Sequence, residues 1–226
     1  MSTKPISVIV TGTTGMVGEG VLLECLASPS VSRVLSVARK PCGYTHPKLD
    51  EVIVPSFLSL ADVEEQFVGY DACFFCAGVS SLGKDEAEYT RITYDTTLHF
   101  AETLARLNPL MVFEYISGAG TDSTEQGKSM WARVKGRTEN ALARLPFRAV
   151  YNLRPGMMRP SEHQRHVPGM MKAIGALYPV MRVVLPKHVS TLSQIGRAMI
   201  RIAIDGSSKR VLEVSDLNAL ASSRDE

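Results

Sequence analysis

The chain has 226 residues, enough for one α/β domain with a full core. Apolar residues make up 45% and charged residues 21%, the balance of a folded domain rather than a disordered or membrane-embedded one. A formal charge of +2 excludes a whole-protein drive toward nucleic acid, and four scattered cysteines exclude a disulfide framework.

Residues 1–5 lack a signal-peptide core, because the apolar run that follows is only Ile6–Val10. With so few cysteines, a cytoplasmic location is expected. Ile6–Thr11 reads as a strand and Met16–Ala27 as a helix. Between and into them run Gly12, Gly15 and Gly18 at three-residue spacing. Such glycines take positive φ and let a phosphate approach the backbone. The helix start offers it free N–H groups and a partial positive charge. The turn Gly12-Thr13-Thr14-Gly15-Met16-Val17-Gly18 is therefore expected to hold a dinucleotide pyrophosphate.

A second strand over Arg33–Ala38 ends in Arg39-Lys40, with no acid before Asp50. An acid at this strand end would bind a free 2′-OH, whereas a basic residue accommodates a 2′-phosphate. Arg39 and Lys40, with a hydroxyl from Thr13, therefore point to NADP(H) in preference to NAD(H). A strand over Glu51–Val54, a helix over Leu60–Phe67 and a strand over Ala72–Cys76 follow. Cys73 and Cys76 lie three apart on that strand, so their sulfurs face opposite sides and suit neither a metal nor a disulfide. The small residues of Cys76-Ala77-Gly78 let the chain pass close to the cofactor.

Asp85–Leu107 carries a helical stripe of Tyr94, Leu98, Ala101 and Ala105. A strand spans Met111–Ser117. The helix Ser129–Leu145 places Trp131, Val134, Thr138, Ala141 and Leu145 on one face, read as core. A strand over Arg148–Leu153 precedes a loop with His163 and His166, where Glu162 is the one nearby carboxylate; no metal site is expected. Residues 168–186 are apolar and contain Met170, Met171 and Met181. Lys172 and Arg182 interrupt them and Pro179 would break a long helix, so they do not span a membrane. They are expected to cover the substrate side, with a peripheral membrane or partner surface as the alternative. A helix over Leu192–Ile204, a strand over Val211–Val214 and a frayed tail from Ala221 complete the chain.

The strands are short continuous apolar runs, as in a parallel sheet buried on both faces. The expected fold is α/β: a Rossmann, doubly wound, mainly parallel sheet of about seven strands with helices on both faces. Residues 1–226 form one domain, with a substrate-side cap over about 156–190.

Taken together, several stretches resemble the short-chain dehydrogenase/reductase superfamily. Thr11-Gly12-Thr13-Thr14-Gly15-Met16-Val17-Gly18 has the T-G-x-x-G-x-x-G form of its extended and atypical members. Gly69-Tyr70-Asp71 with Cys76-Ala77-Gly78 looks like its fourth-strand segment, and Tyr115-Ile-Ser117-Gly-Ala-Gly120 like its fifth. Leu153-Arg154-Pro155-Gly156 is similar to the sixth-strand end, beside nicotinamide and substrate. Trp131-Ala-Arg-Val-Lys135 stands where the family has Tyr-x-x-x-Lys. The short carboxyl part resembles atypical, epimerase-like members near the Tat-interacting oxidoreductase-like proteins.

The resemblance implies that Lys135 holds the nicotinamide ribose and that Ser117 presents a hydroxyl to substrate, with Thr121 or Ser123 as substitutes. Arg154, Pro155 and Gly156 would border the cofactor. Thr93 stands where many members carry asparagine. Indole N–H cannot act as acid or base near neutral pH, so Trp131 removes the usual proton relay. Two readings follow. One is an NADP(H)-dependent oxidoreductase on a small, apolar carbonyl or alcohol, with a homodimer implied by the family. The other is an NADPH-binding sensor or scaffold without turnover.

Overall fold

The structure is a computed structural model and describes residues 4–161, 163–167, 169, 178 and 181–222. A seven-stranded parallel sheet forms its centre. The strands are β1 (Ile6–Thr11), β2 (Val31–Ala38), β3 (Leu49–Ile53), β4 (Ala72–Phe75), β5 (Val112–Ile116), β6 (Ala149–Arg154) and, after a small parallel pair, β9 (Val211–Glu213). Their order is β3-β2-β1-β4-β5-β6-β9. That is the doubly wound Rossmann arrangement expected from the sequence, and it reverses direction between β1 and β4. The small pair is β7 (Met157–Arg159) with β8 (Val189–Thr191), which joins the two ends of the segment expected to cap the substrate side.

Each sheet face has its own core. On one side α1 (Met16–Ala27), α5 (Leu192–Asp205) and α6 (Val214–Ser222) cover Val8, Val10, Phe74, Val112 and Leu153. Helices α1 and α5 approach closely because they meet at glycines. A methyl on Gly20 would press on Leu192, and one on Gly196 on Glu24. Thr191 and Gln194 form a reciprocal capping box that starts α5, and Gly206 at φ +76° ends it. On the other side α3 (Thr96–Leu107) and α4 (Met130–Leu142) lie over an aromatic cluster of Phe57, Phe67, Phe75, Phe100 and Phe113, with ring centres 5.2–6.0 Å apart. Cys73 belongs to this second core, whereas Cys76 packs against the first.

Three elements and one side chain differ from the sequence reading. The helix expected over Leu60–Phe67 is a single 3₁₀ turn, Glu64–Phe67. The apolar spacing of Leu60, Val63 and Phe67 imitates a helix, but eight uncapped residues are too few to sustain one. The helix expected over Asp85–Leu107 is α2 (Glu86–Thr90) and α3 joined by a π turn, Arg91–Asp95. Helix α6 takes Val214 from the expected last strand, runs through residues 215–220, to which the sequence reading gives no element, and ends at Ser222, two residues into the expected tail; it buries Val214 and Leu217. Trp131 is half-buried rather than core, while Ala132, Val134, Thr138 and Leu142 are buried. Of the expected 168–186 covering segment, Met170, Met171, Lys172 and Pro179 lie outside the described residues, as does Glu162 in the preceding loop. No described helix is long and apolar enough to cross a membrane.

Candidate active site

The carboxyl ends of β1 and β4 frame the crevice where such sheets bind ligands. Thr11 ties the two ends together: its hydroxyl accepts from the backbone N–H groups of Cys76 and Ala77, both at 3.1 Å. Gly12 sits between them at φ +71°, and a Cβ there would lie 2.7 Å from the nitrogen of Ala77. The N–H of Gly15 donates to the carbonyl of Gly12 at 2.9 Å and closes the turn. Gly18 packs α1 against that turn so closely that a methyl would run into the Gly12 carbonyl. Gly15, at the N-cap, supplies no capping side chain. The first N–H groups of α1 are therefore left for a ligand.

These residues open onto a cleft of about 850 Å³. Gly12, Thr14, Gly15, Met16, Val17 and Gly18 form its floor. Cys76, Ala77 and Gly78 form one wall, and Pro55–Leu58, after β3, another. Arg39 lines it at the end of β2. Lys84 and Arg91 also line it; neither belongs to a motif, and the sequence reading missed both. Not one of the residues lining this cleft is Asp or Glu. A glycine-rich floor, free helix N–H groups and a wholly cationic charged lining together fit a phosphorylated dinucleotide.

Two members of the expected phosphate set are placed differently. Thr13 is fully buried, and its hydroxyl is hydrogen-bonded to that of Ser36 at 2.8 Å, so it faces β2 rather than a ligand. Lys40 is exposed and is not part of the cleft lining; it lies two residues beyond the end of β2, whereas Arg39 lies one beyond.

A second, smaller cleft of about 350 Å³ continues from Val79, which lines both. Ser117, Gly118, Ala119, Trp131 and Lys135 line it, with Pro155 and Gly156 after β6 and Tyr89 from α2. The Lys135 ammonium donates to the Ser117 carbonyl. Burial brings Lys135 down to about 8, against the opposite pull of Glu139. The indole of Trp131 lies over Gly120, about 3.5 Å from where its Cβ would stand, and φ +86° keeps that position glycine. Tyr89 is almost fully buried, and burial pushes its phenol up, so it stays protonated.

Two expected side chains in this second site are otherwise engaged. Ser117 is buried and its hydroxyl donates to Glu139 at 2.5 Å, with the Leu153 carbonyl at 3.1 Å. Arg154 grips the same carboxylate with Nε and a terminal nitrogen, at 3.0 and 2.5 Å, and reaches Glu213 at 3.4 Å. A buried carboxylate requires such partners, and Glu139 recruits both residues that the family pattern assigns to ligands.

A third feature lies behind the glycine turn. Glu19, on α1, is fully buried and accepts from the Tyr44 hydroxyl (2.6 Å) and from the backbone N–H groups of Arg165 (2.6 Å) and His166 (2.8 Å). Gln164 donates to the Met16 carbonyl at 2.6 Å. The histidine-bearing loop thus meets a carboxylate far away in sequence. Among the described residues no group of three or more His, Cys, Asp or Glu side chains is placed to hold a metal ion.

No family model matches the chain. Among curated proteins it is similar to "Protein fmp52, mitochondrial" of Emericella nidulans, 26% identical over 159 residues, covering 67% of this chain and 66% of that one. It is also similar to "Protein fmp52-1, mitochondrial" of Aspergillus oryzae, 29% identical over 65% of this chain and 63% of the other. The match thus spans just under two thirds of each of these two relatives. Among solved structures it resembles the Bordetella bronchiseptica enzyme WbmF in complex with NAD+, at TM-score 0.64 and 17% identity, over 96% of this chain and 77% of that chain. MoeE5 in complex with UDP-glucuronic acid and NAD gives 0.65 and 20%, over 91% and 75%. A short-chain dehydrogenase/reductase family oxidoreductase from Burkholderia thailandensis gives 0.69 and 13%, over 93% and 91%. The chain has the fold of these three proteins.

Proposed function

We propose that this chain binds NADP(H) and acts as an oxidoreductase of short-chain dehydrogenase type on a small carbonyl or alcohol. The observation that carries the reading is the larger cleft: a glycine-rich floor at a helix N-terminus, with Arg39 just after β2 and no carboxylate in its lining. The absence of an acid there argues for a 2′-phosphate over a free 2′-OH. Two of the fold neighbours named above, WbmF and MoeE5, are described with NAD, so preference for NADP(H) rests on Arg39 and the acid-free lining of this chain's own cleft.

When bound, the nicotinamide supplies or accepts hydride; the chain must move the accompanying proton. In the smaller cleft two side chains can hold one, Tyr89 and Lys135. Lys135 is the better placed by chemistry, because a group near 8 exchanges its proton at physiological pH. Trp131 and the flanking Pro155-Gly156 give the cleft an apolar wall, which suits a small apolar substrate. Residues 1–226 act as one unit in this reading, with 156–190 bounding the substrate side, and the protein works in the cytoplasm.

A second reading has its own support. Trp131 stands at the tyrosine position and the Ser117 hydroxyl is held by Glu139, which favours a binder of NADPH that does not turn over.

Calorimetry with NADPH and NADH tests the cofactor, and Arg39→Glu should weaken NADPH far more than NADH. Equal losses would refute the assignment. Oxidation of NADPH over a panel of small carbonyls, lost in Lys135→Ala, would decide for the enzyme over the sensor. Imaging of the tagged chain checks location, since the two fungal relatives carry "mitochondrial" in their names.

A further inference from the structure

Three cations line the larger cleft, and their situations differ. Lys84 is paired with Glu88 at 2.8 Å. Arg39 and Arg91 make no ion pair or side-chain hydrogen bond among the described residues. They come from different elements, the end of β2 and the turn between α2 and α3. Two unpaired guanidinium groups in one cleft without a carboxylate repel each other until an anion arrives.

The backbone at Arg91 is unusual. The N–H of Thr96 reaches back five residues to the Arg91 carbonyl, closing a π turn, and the Thr96 hydroxyl donates to the same oxygen at 3.1 Å. One extra residue in a helical turn offsets the faces before and after it by about 100°. Helix α3 keeps Leu98, Ala101 and Leu104 on the aromatic core, while Arg91, Ile92 and Thr96 line the cleft. A regular helix would not serve both demands. Such single-turn insertions concentrate at functional sites.

We propose that Arg91 is a second phosphate-binding residue, gripping the dinucleotide from a different element than Arg39. The inference rests on the dinucleotide reading above. A guanidinium meets a phosphate with two parallel hydrogen bonds, which lysine does not reproduce. The glycine floor already serves the pyrophosphate with N–H groups, so Arg91 adds a full charge where the floor supplies only partial ones.

The test is calorimetry on the full chain with NADPH, NADH, 2′,5′-ADP and ADP, for the wild type, Arg91→Gln, Arg91→Lys and Arg39→Gln. Arg91→Gln should lose about tenfold or more in NADPH affinity, with Arg91→Lys between it and the wild type. The melting temperature should not move, because Arg91 is exposed. Loss confined to NADPH and 2′,5′-ADP assigns Arg91 to the 2′-phosphate; loss extending to NADH and ADP assigns it to the pyrophosphate. Wild-type binding unchanged in Arg91→Gln overturns the role of Arg91 and leaves the cofactor reading intact. A wild type that binds none of the four nucleotides overturns the cofactor reading itself, and this inference with it.

Discussion

The hydroxyl of Ser117 donates to Oε1 of Glu139 at 2.5 Å, across 22 residues of sequence, and both side chains are buried. Arg154 completes the group by gripping both oxygens of the same carboxylate. Strands β5 and β6 are thereby locked to α4 beneath the smaller cleft.

Removing one partner of that group should be costly. Glu139→Ala strands the Arg154 guanidinium, which is only 12% exposed, without its main counter-charge. A loss of about 3–5 kcal/mol is expected in urea unfolding. Ser117→Ala deletes one neutral donor and should cost about 1–3 kcal/mol, leaving the ion pair in place.

Glu114 presents the opposite case. It lies on β5 between Phe74 and Tyr151, fully buried, and neither oxygen has a partner among the described residues. Burial pushes its carboxyl well above the usual range, so the folded chain carries it protonated. The unfolded chain releases that proton above the ordinary value of 4.5. Folding therefore binds a proton at neutral pH, and this residue's contribution becomes less favourable as pH rises. Glu114→Met should raise stability at pH 7 by about 1–3 kcal/mol, and the gain should shrink toward pH 4. Thermal unfolding across that range measures it.

Glu19 titrates in the other sense. Burial raises its carboxyl, but the Tyr44 hydroxyl and the N–H groups of Arg165 and His166 outweigh this and hold it below the ordinary range. The stabilisation is present above about 4.5, the unfolded value, and is lost as pH falls through the lower folded value. Glu19→Gln should flatten that acid limb. It should also speed amide exchange at Arg165 and His166, whose N–H groups lose a charged acceptor.

Lys135 should titrate near 8, where a surface lysine stays charged to about 10.4. The unfolded chain keeps its proton longer than the folded one, so stability from this residue rises between those two values. Reductive ¹³C-methylation followed by NMR titration isolates its resonance; an apparent value near 10 would contradict the desolvated site.

The glycine turn and the sheet order were legible because each rests on local demands. Positive φ, missing Cβ atoms and short apolar runs are written in adjacent residues. The partners of Ser117, Arg154 and Glu19 were not, because each contact joins distant segments; Gln164 and Met16 lie 148 residues apart. Trp131 satisfied a helical core stripe, yet the bare backbone of Gly120 lets its ring face the cleft. Arg91 gave no signal, since a π turn shifts the face on which helical periodicity would have placed it.

The contact between Gln164 and Met16 gives the loop of residues 163–167 a hold on the helix whose open end would receive the phosphate in the proposed dinucleotide reading. Whatever steadies that first turn of α1 also steadies the loop, and by equilibrium linkage the reverse holds to the same degree. If the proposed nucleotide fills the cleft, its occupation and order at residues 163–167 are two readings of one equilibrium.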